Sequence, residues 1–253
     1  MRKIFLLVLF QLIFNFLKSQ DYHVRYTNQI SPIANVAEDL YISKEKILSV
    51  RDSVINFNSE YSSKAVFNEG SNSIQVSSKS IPHKVIYRKK PENDKVVYNE
   101  YLGNQKYIIE DYIPPFKWQI NYKSTKLIGK YTCYEAKTNY RGSDIVAYFT
   151  KEIPVSSGPF KFGGLPGLIL EISEEGKNYN YWKATIVENK NDNRFDINSD
   201  NSLQVSMKEF LILEEKENEK SFLKKTSGLA KDVVVRRMKV ARQGIEKKYE
   251  WED

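Results

Sequence analysis

The sequence predicts a mainly β protein built on one antiparallel meander sheet, with helices at its C-terminus. Three observations predict it. From Asp21 to about Asn189, apolar and polar side chains alternate with period two, the spacing of half-buried strands. Gly, Pro, Asn and Asp clusters cut that stretch into short runs with no helical pattern between them, which favours hairpins over alternating β-α units. After a polar stretch, Asn189–Ser202, the period becomes that of an amphipathic helix. The expected division is a signal peptide over 1–20, an antiparallel β domain over 21–205 and a helical extension over 206–253 packed on that domain.

Composition fits a folded globular chain. The 253 residues are 41 % hydrophobic and 28 % charged, with thirteen Phe, seventeen Tyr and three Trp, which excludes a disordered, collagen-like or polytopic membrane protein. Arg2 and Lys3 precede an apolar run from Ile4 to Leu17, and the polar Lys18-Ser19-Gln20 follow. A basic patch, a short apolar core and a polar end make a secretory signal peptide, too short to span a membrane. Cleavage is expected near Ser19 or Gln20, delivering the protein to the periplasm or beyond, with no transmembrane span after signal removal. Excision of Arg2, Lys3 and Lys18 from 39 basic residues leaves 36 against 32 acidic ones, a net +4. That surface is too weakly basic to argue for nucleic acid. Cys133 is the single cysteine, so no internal disulfide forms and Cys133 reads as a small buried apolar residue.

The clearest strand is Phe116-Lys117-Trp118-Gln119-Ile120-Asn121-Tyr122, with Pro114-Pro115 setting its start. Ile145–Phe149 is apolar on both faces and reads as an interior strand, and Trp182, Ala184 and Ile186 alternate with polar neighbours in another. Further strands are expected at Tyr22–Thr27, Ser53–Asn58, Lys64–Phe67, Ser73–Val76, Lys84–Arg88, Val96–Tyr101 and Gln105–Asp111. Asn35 to Val50 is ambiguous, since Leu40, Ile47, Leu48 and Val54 could share a helix face. Ser206 with Glu209 has capping-box spacing ahead of Phe210 and Leu213. Ala230, Val234, Met238, Ala241 and Ile245 lie at intervals of four, four, three and four, which predicts a second helix with a solvated basic face.

Four of the eleven glycines and two of the eight prolines fall within Gly158–Gly167, so backbone geometry is specified tightly there. Gly163-Gly164 tolerates positive φ, and Pro166-Gly167 suits the centre of a type II turn. Phe160, Phe162 and Leu165 are candidates for an exposed apolar binding surface, with Lys161 the solvent-facing member of the run. The alternative is a loop tucked over the sheet to close the core.

Gly164-Leu165-Pro166-Gly167-Leu168-Ile169 resembles the motif of the GLPGLI family, secreted proteins of Bacteroidetes-type bacteria. Trp118, Ile128–Ala136, Tyr140-Arg141-Gly142, Ala147–Thr150, Glu152-Ile153-Pro154 and Gly158-Pro159 precede it in the family's order, so the resemblance covers Phe116–Ile172 strongly. One departure is Arg141-Gly142 with Tyr148, where the family tends to have Gly-Arg and then Trp. The resemblance implies an exported, mainly antiparallel β protein without an assigned biochemical role, and marks Trp118, Cys133, Gly158, Pro159 and Gly163–Ile169 as its motif positions. The pattern is also similar to the half-open sheets of periplasmic lipoprotein carriers, which implies a curved meander sheet, half-barrel or sandwich-like, around an apolar cavity.

Catalytic chemistry leaves little trace. The two histidines, His23 and His83, stand in no nucleophile elbow or His-Glu-x-x-His motif, and no Gly-rich phosphate loop occurs. Asn191-Asp192-Asn193 and Asn198–Asn201 lack the EF-hand spacing, and nothing in the spacing joins Glu152 to Glu171 as an acid-base pair. No catalytic residue, metal site or cofactor is expected. The expectation is a non-enzymatic envelope protein that binds an apolar ligand or an envelope protein partner. The alternatives are an assembly component acting through Gly158–Ile169, or a hydrolase.

Overall fold

The structure is a computed structural model that describes residues 21–44, 46–57, 83–89, 94–190, 197, 201–227, 242 and 244–252. The signal peptide expected over 1–20, the strands expected at Lys64–Phe67 and Ser73–Val76, the Asn191–Asn193 and Asn198–Asp200 stretches and Ala230, Val234, Met238 and Ala241 lie outside them. Eleven strands precede the helical region: β1 (Tyr22–Ser31), β2 (Ala34–Ile42), β3 (Ile47–Phe57), β4 (Val85–Lys89), β5 (Lys95–Leu102), β6 (Gln105–Tyr112), β7 (Gln119–Ile128), β8 (Tyr131–Tyr140), β9 (Ser143–Thr150), β10 (Leu168–Glu174) and β11 (Tyr181–Glu188). A short β12 (Ser202–Ser206) then runs into helix α1 (Met207–Thr226).

All twelve strands join one sheet in the order β12-β6-β5-β4-β3-β2-β1-β11-β10-β9-β8-β7. It is two meanders, β1–β6 and β7–β11, sewn together where β1 pairs with β11. The sheet is mostly antiparallel but mixed, because β12 adds to β6 in parallel. The chain leaves β11 at the middle of the sheet and reaches the far edge travelling the same way as β6, a pairing that periodicity alone does not reveal. The sheet does not close into a barrel; β7 and β12 are its edges.

The sheet is bent. Asp111 on β6 and Arg141 beside β8 stand nine positions apart in the strand order, which would be roughly 40 Å in a flat sheet at about 4.8 Å per strand. Their side chains nevertheless hydrogen-bond at 2.8 and 2.9 Å. Both halves therefore face one core, which joins Val24, Leu40, Tyr98 and Ile109 from one meander with Tyr140, Phe149 and Ile172 from the other.

Several local expectations are corrected. Asn35–Val50 is strand, not helix: Val36, Glu38, Leu40 and Ile42 of β2 face the core with period two, opposite Ser49 and Ile47 of β3. The helical spacing of Leu40, Ile47 and Leu48 came from merging two strands across the Ser43–Lys46 turn. The strand after Pro114-Pro115 begins at Gln119, because Phe116 and Trp118 turn inward to stack on each other, their rings 5.5 Å apart. The strand β10 that follows the Gly/Pro cluster is buried on both faces over Leu168–Ile172 and bulges around Leu170.

The start of α1 follows the predicted capping box. Ser206 Oγ accepts the Glu209 amide at 3.2 Å while Glu209 Oε2 accepts the Ser206 amide at 2.8 Å. Met207 and Phe210 are buried beneath it, Phe210 edge-on to Tyr107 at 5.5 Å. Ile245, placed by its spacing on a second helix, lies in the irregular segment 244–252 and is buried there.

Candidate functional site

The connection between β9 and β10 carries the Gly/Pro cluster, and it folds inward. Phe162 and Leu165 are buried at 0 % and 1 % exposure and Lys161 at 3 %, so the expected exposed surface and solvent-facing lysine are overturned. The loop lies inside the bent sheet, where apolar and charged groups of both halves converge on it. Phe160 donates its backbone N–H to Glu38 Oε1 at 2.5 Å and to Ser49 Oγ at 3.1 Å. The buried amine of Lys89 donates to the Gly158 and Phe162 carbonyls. Trp118 Nε1 donates to the Gly163 carbonyl at 2.9 Å, and Tyr26 Oη to the Ile169 carbonyl at 2.6 Å, satisfying the group that the β10 bulge frees.

The glycines have distinct reasons. Gly167 is not the left-handed member of a type II turn, since it is absent from the positive-φ residues. It is glycine because an added Cβ would stand 2.0 Å from the Thr150 carbonyl oxygen. Gly164 does take φ of +81°, beside the Trp118 indole. Phe160 itself has φ of +51°, a strained setting for a side-chain-bearing residue. The setting is held by its two amide acceptors and by its ring, which packs 5.1 Å from Tyr87 and 6.0 Å from Trp182.

Lys161 reaches the second charged centre. Its ammonium contacts Asp111 Oδ2 at 2.7 Å and Glu246 Oε2 at 2.8 Å. Arg141, fully buried, meets Asp111 in a two-pronged pair and also binds Glu246 at 2.5 Å and Glu250 at 3.0 Å. Burial works against the charged lysine, but Glu246 and Asp111 outweigh it and raise its pKa. Burial likewise works against ionised Asp111, and its hydrogen bond to Arg141 and the Lys161 charge outweigh that and lower its pKa. Arg141 (φ +46°) and Gly142 (φ +81°) form the β8–β9 turn, the pattern of a type I′ hairpin. Arginine in place of the usual Asn or Gly there is the one sequence signal of this centre. Its acidic partners from β6 and residues 246–250 lie far away in sequence.

Between the sheet, the loop, α1 and the C-terminal segment opens a cavity of about 700 Å³. Tyr87, Tyr98, Phe160 and Trp182 form aromatic wall, and Arg51, Glu100 and Glu214 bring charge to it. Glu38 at its base is saturated, accepting from Asn28 Nδ2 at 3.0 Å, Trp182 Nε1 at 2.8 Å and Ser49 Oγ at 2.6 Å besides the Phe160 amide. Burial raises the pKa of Glu214. Three residues, Asp52–Val54, oppose the single Ala37 where β3 bulges, and Asp52 and Ser53 line the cavity there.

The other candidates are not brought into this site. Cys133 is buried on β8, and burial pushes its thiol up to about 12. Glu171 pairs with Lys126, whose ammonium sits 3.7 Å from the Tyr148 ring centre, while Glu152 accepts the Thr132 amide at 2.9 Å. The two carboxylates thus serve separate partners. His83 pairs with Glu100 at 2.7 Å on the cavity wall, and His23 with Asp39 at 2.8 Å. Among the described residues no group of three or more His, Cys, Asp or Glu gathers as a metal site, and no helix is long and apolar enough to cross a membrane.

Residues 138–171 match the model of a family described as a protein of unknown function, Porph_ging. That stretch holds the Arg141 turn, the inward loop and Gly164–Ile169. No curated protein matches the sequence. Among solved structures, the chain is similar to PNGF-II in two crystal forms at 17 % identity and TM-score 0.49, covering 79 % of this chain and 33 % or 34 % of that one. The chain thus spans about a third of the length of PNGF-II. It is also similar to an uncharacterized conserved protein from Thermus thermophilus, at 11 % identity and TM-score 0.40, covering 75 % of this chain and 91 % of that one. At these scores neither similarity bears on what the chain does.

Proposed function

We propose that this is a non-enzymatic binding protein, exported through residues 1–20 to the periplasm or beyond, whose half-open cavity holds a small amphipathic ligand. The observation that carries this reading is the cavity itself: about 700 Å³, lined by aromatic side chains such as Tyr87, Phe160 and Trp182 together with charged ones such as Arg51 and Glu100. Small-molecule sites have that size and that mixed lining. The inward loop shapes the cavity with Phe160 and leaves Phe162 and Leu165 no surface to offer a partner, so the chemistry favours a ligand inside over capture by the loop. A hydrolase built on Cys133 would need a thiolate, and burial keeps that thiol neutral.

The test is binding of the neutral, apolar dye N-phenyl-1-naphthylamine to the purified mature protein, with native mass spectrometry of the same preparation. Saturable one-to-one binding is expected, and Leu211→Trp, which fills the cavity from α1, should abolish it without lowering the melting temperature. Absence of saturable binding in the parent protein together with no copurifying small molecule overturns the proposal. So does dye binding that Leu211→Trp leaves intact.

A further inference from the structure

We infer that the ligand of this cavity is an organic anion, an apolar or aromatic body bearing one carboxylate, sulfonate or phosphate group, and that Arg51 receives that group. The inference rests on the cavity being a binding site and adds the ligand's charge. Arg51 on β3 is the directly paired cross-strand neighbour of Glu38 on β2 and of Val85 on β4, so its side chain shares their core-facing side. An arginine there would ordinarily pair with that carboxylate. Glu38 is unavailable, because its two oxygens already accept four hydrogen bonds, about as many as a carboxylate has sites for.

Arg51 lines the cavity with no hydrogen bond or ion pair at contact distance among the described residues, although Tyr87 first, and then Glu100 and Glu38, act on it through space and outweigh its burial to raise its pKa. The other charged groups of the wall are engaged. Glu100 pairs with His83, Glu246 with Lys161 and Arg141, and Arg242 with Glu252 at 2.6 Å. Asp52 accepts the Ser53 amide at 2.6 Å. Besides Glu38, Asp52 and Glu214 are the lining carboxyls with no cation at contact distance among the described residues, and burial raises the pKa of Glu214. What is left open is a fork of five N–H donors beside the Tyr87 and Tyr98 rings. Arg51 is half-buried, so its guanidinium is open to a ligand entering the cavity, and a planar or tetrahedral oxyanion matches its fork. The Phe160 and Trp182 rings, stacked at 6.0 Å with 21° between planes, supply the flat apolar surface for the body of the ligand.

Two dyes that share a body and differ in charge test this: 1-anilinonaphthalene-8-sulfonate and neutral N-phenyl-1-naphthylamine, each titrated into the mature protein and its Arg51→Met and Arg51→Lys variants. The sulfonate should bind tighter than the neutral dye. Arg51→Met should weaken the sulfonate by about tenfold or more, the worth of a charge-assisted hydrogen bond, and change the neutral dye less than about twofold on the same scale. Arg51→Lys should fall between. Equal affinity for both dyes, or a sulfonate affinity indifferent to Arg51→Met, overturns the anion assignment while leaving the cavity reading intact. Failure of both dyes to bind the parent protein overturns the reading and the assignment together.

Discussion

At the scale of single residues, this chain uses glycine for two unlike purposes. Gly103 takes φ of +61° with nothing near its missing side chain, whereas Gly167 is pressed against the Thr150 backbone. Gly103→Ala should therefore cost about 1 kcal/mol, the left-handed penalty alone. Gly167→Ala must displace backbone from backbone and should cost more than about 3 kcal/mol, read as a fall in the urea midpoint at unchanged slope. Equal losses at the two sites would refute the close-approach argument. Sequence reading marked Gly167 as special but for the wrong reason, because a turn signature and a strand-loop contact look alike when the Thr150 carbonyl is not in view. Arg141 was legible only as an odd residue in a turn. Its acceptors lie on four residues, Asp111, Tyr112, Glu246 and Glu250, and no local pattern names them.

At the scale of elements, the inward loop and the 244–252 segment are one unit. The loop's Lys161 and the Arg141 turn both hold Glu246, while the Arg141 carbonyl accepts the Lys247 and Lys248 amides at 2.8 and 2.9 Å. Removing one cation from such a buried network leaves carboxylate charge uncompensated, a loss of about 3–5 kcal/mol. Lys161→Met is thus expected to destabilise by that order and to free the segment first, so that trypsin cleaves at Lys247 and Lys248 before the domain unfolds. Lys161→Arg should restore most of the protection. Cleavage of Lys161→Met at the parent rate would show that the segment is held by packing alone. The strands β1, β4, β5, β6 and β11 and the start of α1 were readable because period two and a capping box are local signals. The Ser53–Phe57 end of β3 was readable too, but β2 and the Ile47–Val50 start of β3 were not, since these stretches are buried on much of both faces and the blurred alternation mimics a helix.

At the scale of the whole molecule, the bent sheet encloses charges that a flat one would leave in water. Lys89 is the clearest case: burial lowers its pKa to about 7, opposed by Glu38. A neutral amine has two N–H groups for its two carbonyl partners. The unfolded lysine keeps its proton to about 10.5, so between about pH 7 and 10.5 the unfolded chain binds more protons and stability rises with pH. The cost of burying this lysine is in full force below that window and is relieved through it. Denaturant midpoints of the parent should accordingly climb relative to Lys89→Met between pH 7 and 10, at up to about 1.4 kcal/mol per unit. Parallel pH profiles for the two proteins would rule this out.

By itself the sequence determined what local interactions determine: an alternating β chain, a capped helix at Ser206, one thiol fated for burial and a Gly/Pro loop that tolerates little change. Only the tertiary structure decided where that loop goes, which strands face each other across the core, and that Arg51 is left facing a cavity because Glu38 is taken. The reason is range. Periodicity and capping act over a few residues, whereas the bend that brings Asp111 to Arg141, and the four donors that saturate Glu38, are contacts between segments as far as 144 positions apart.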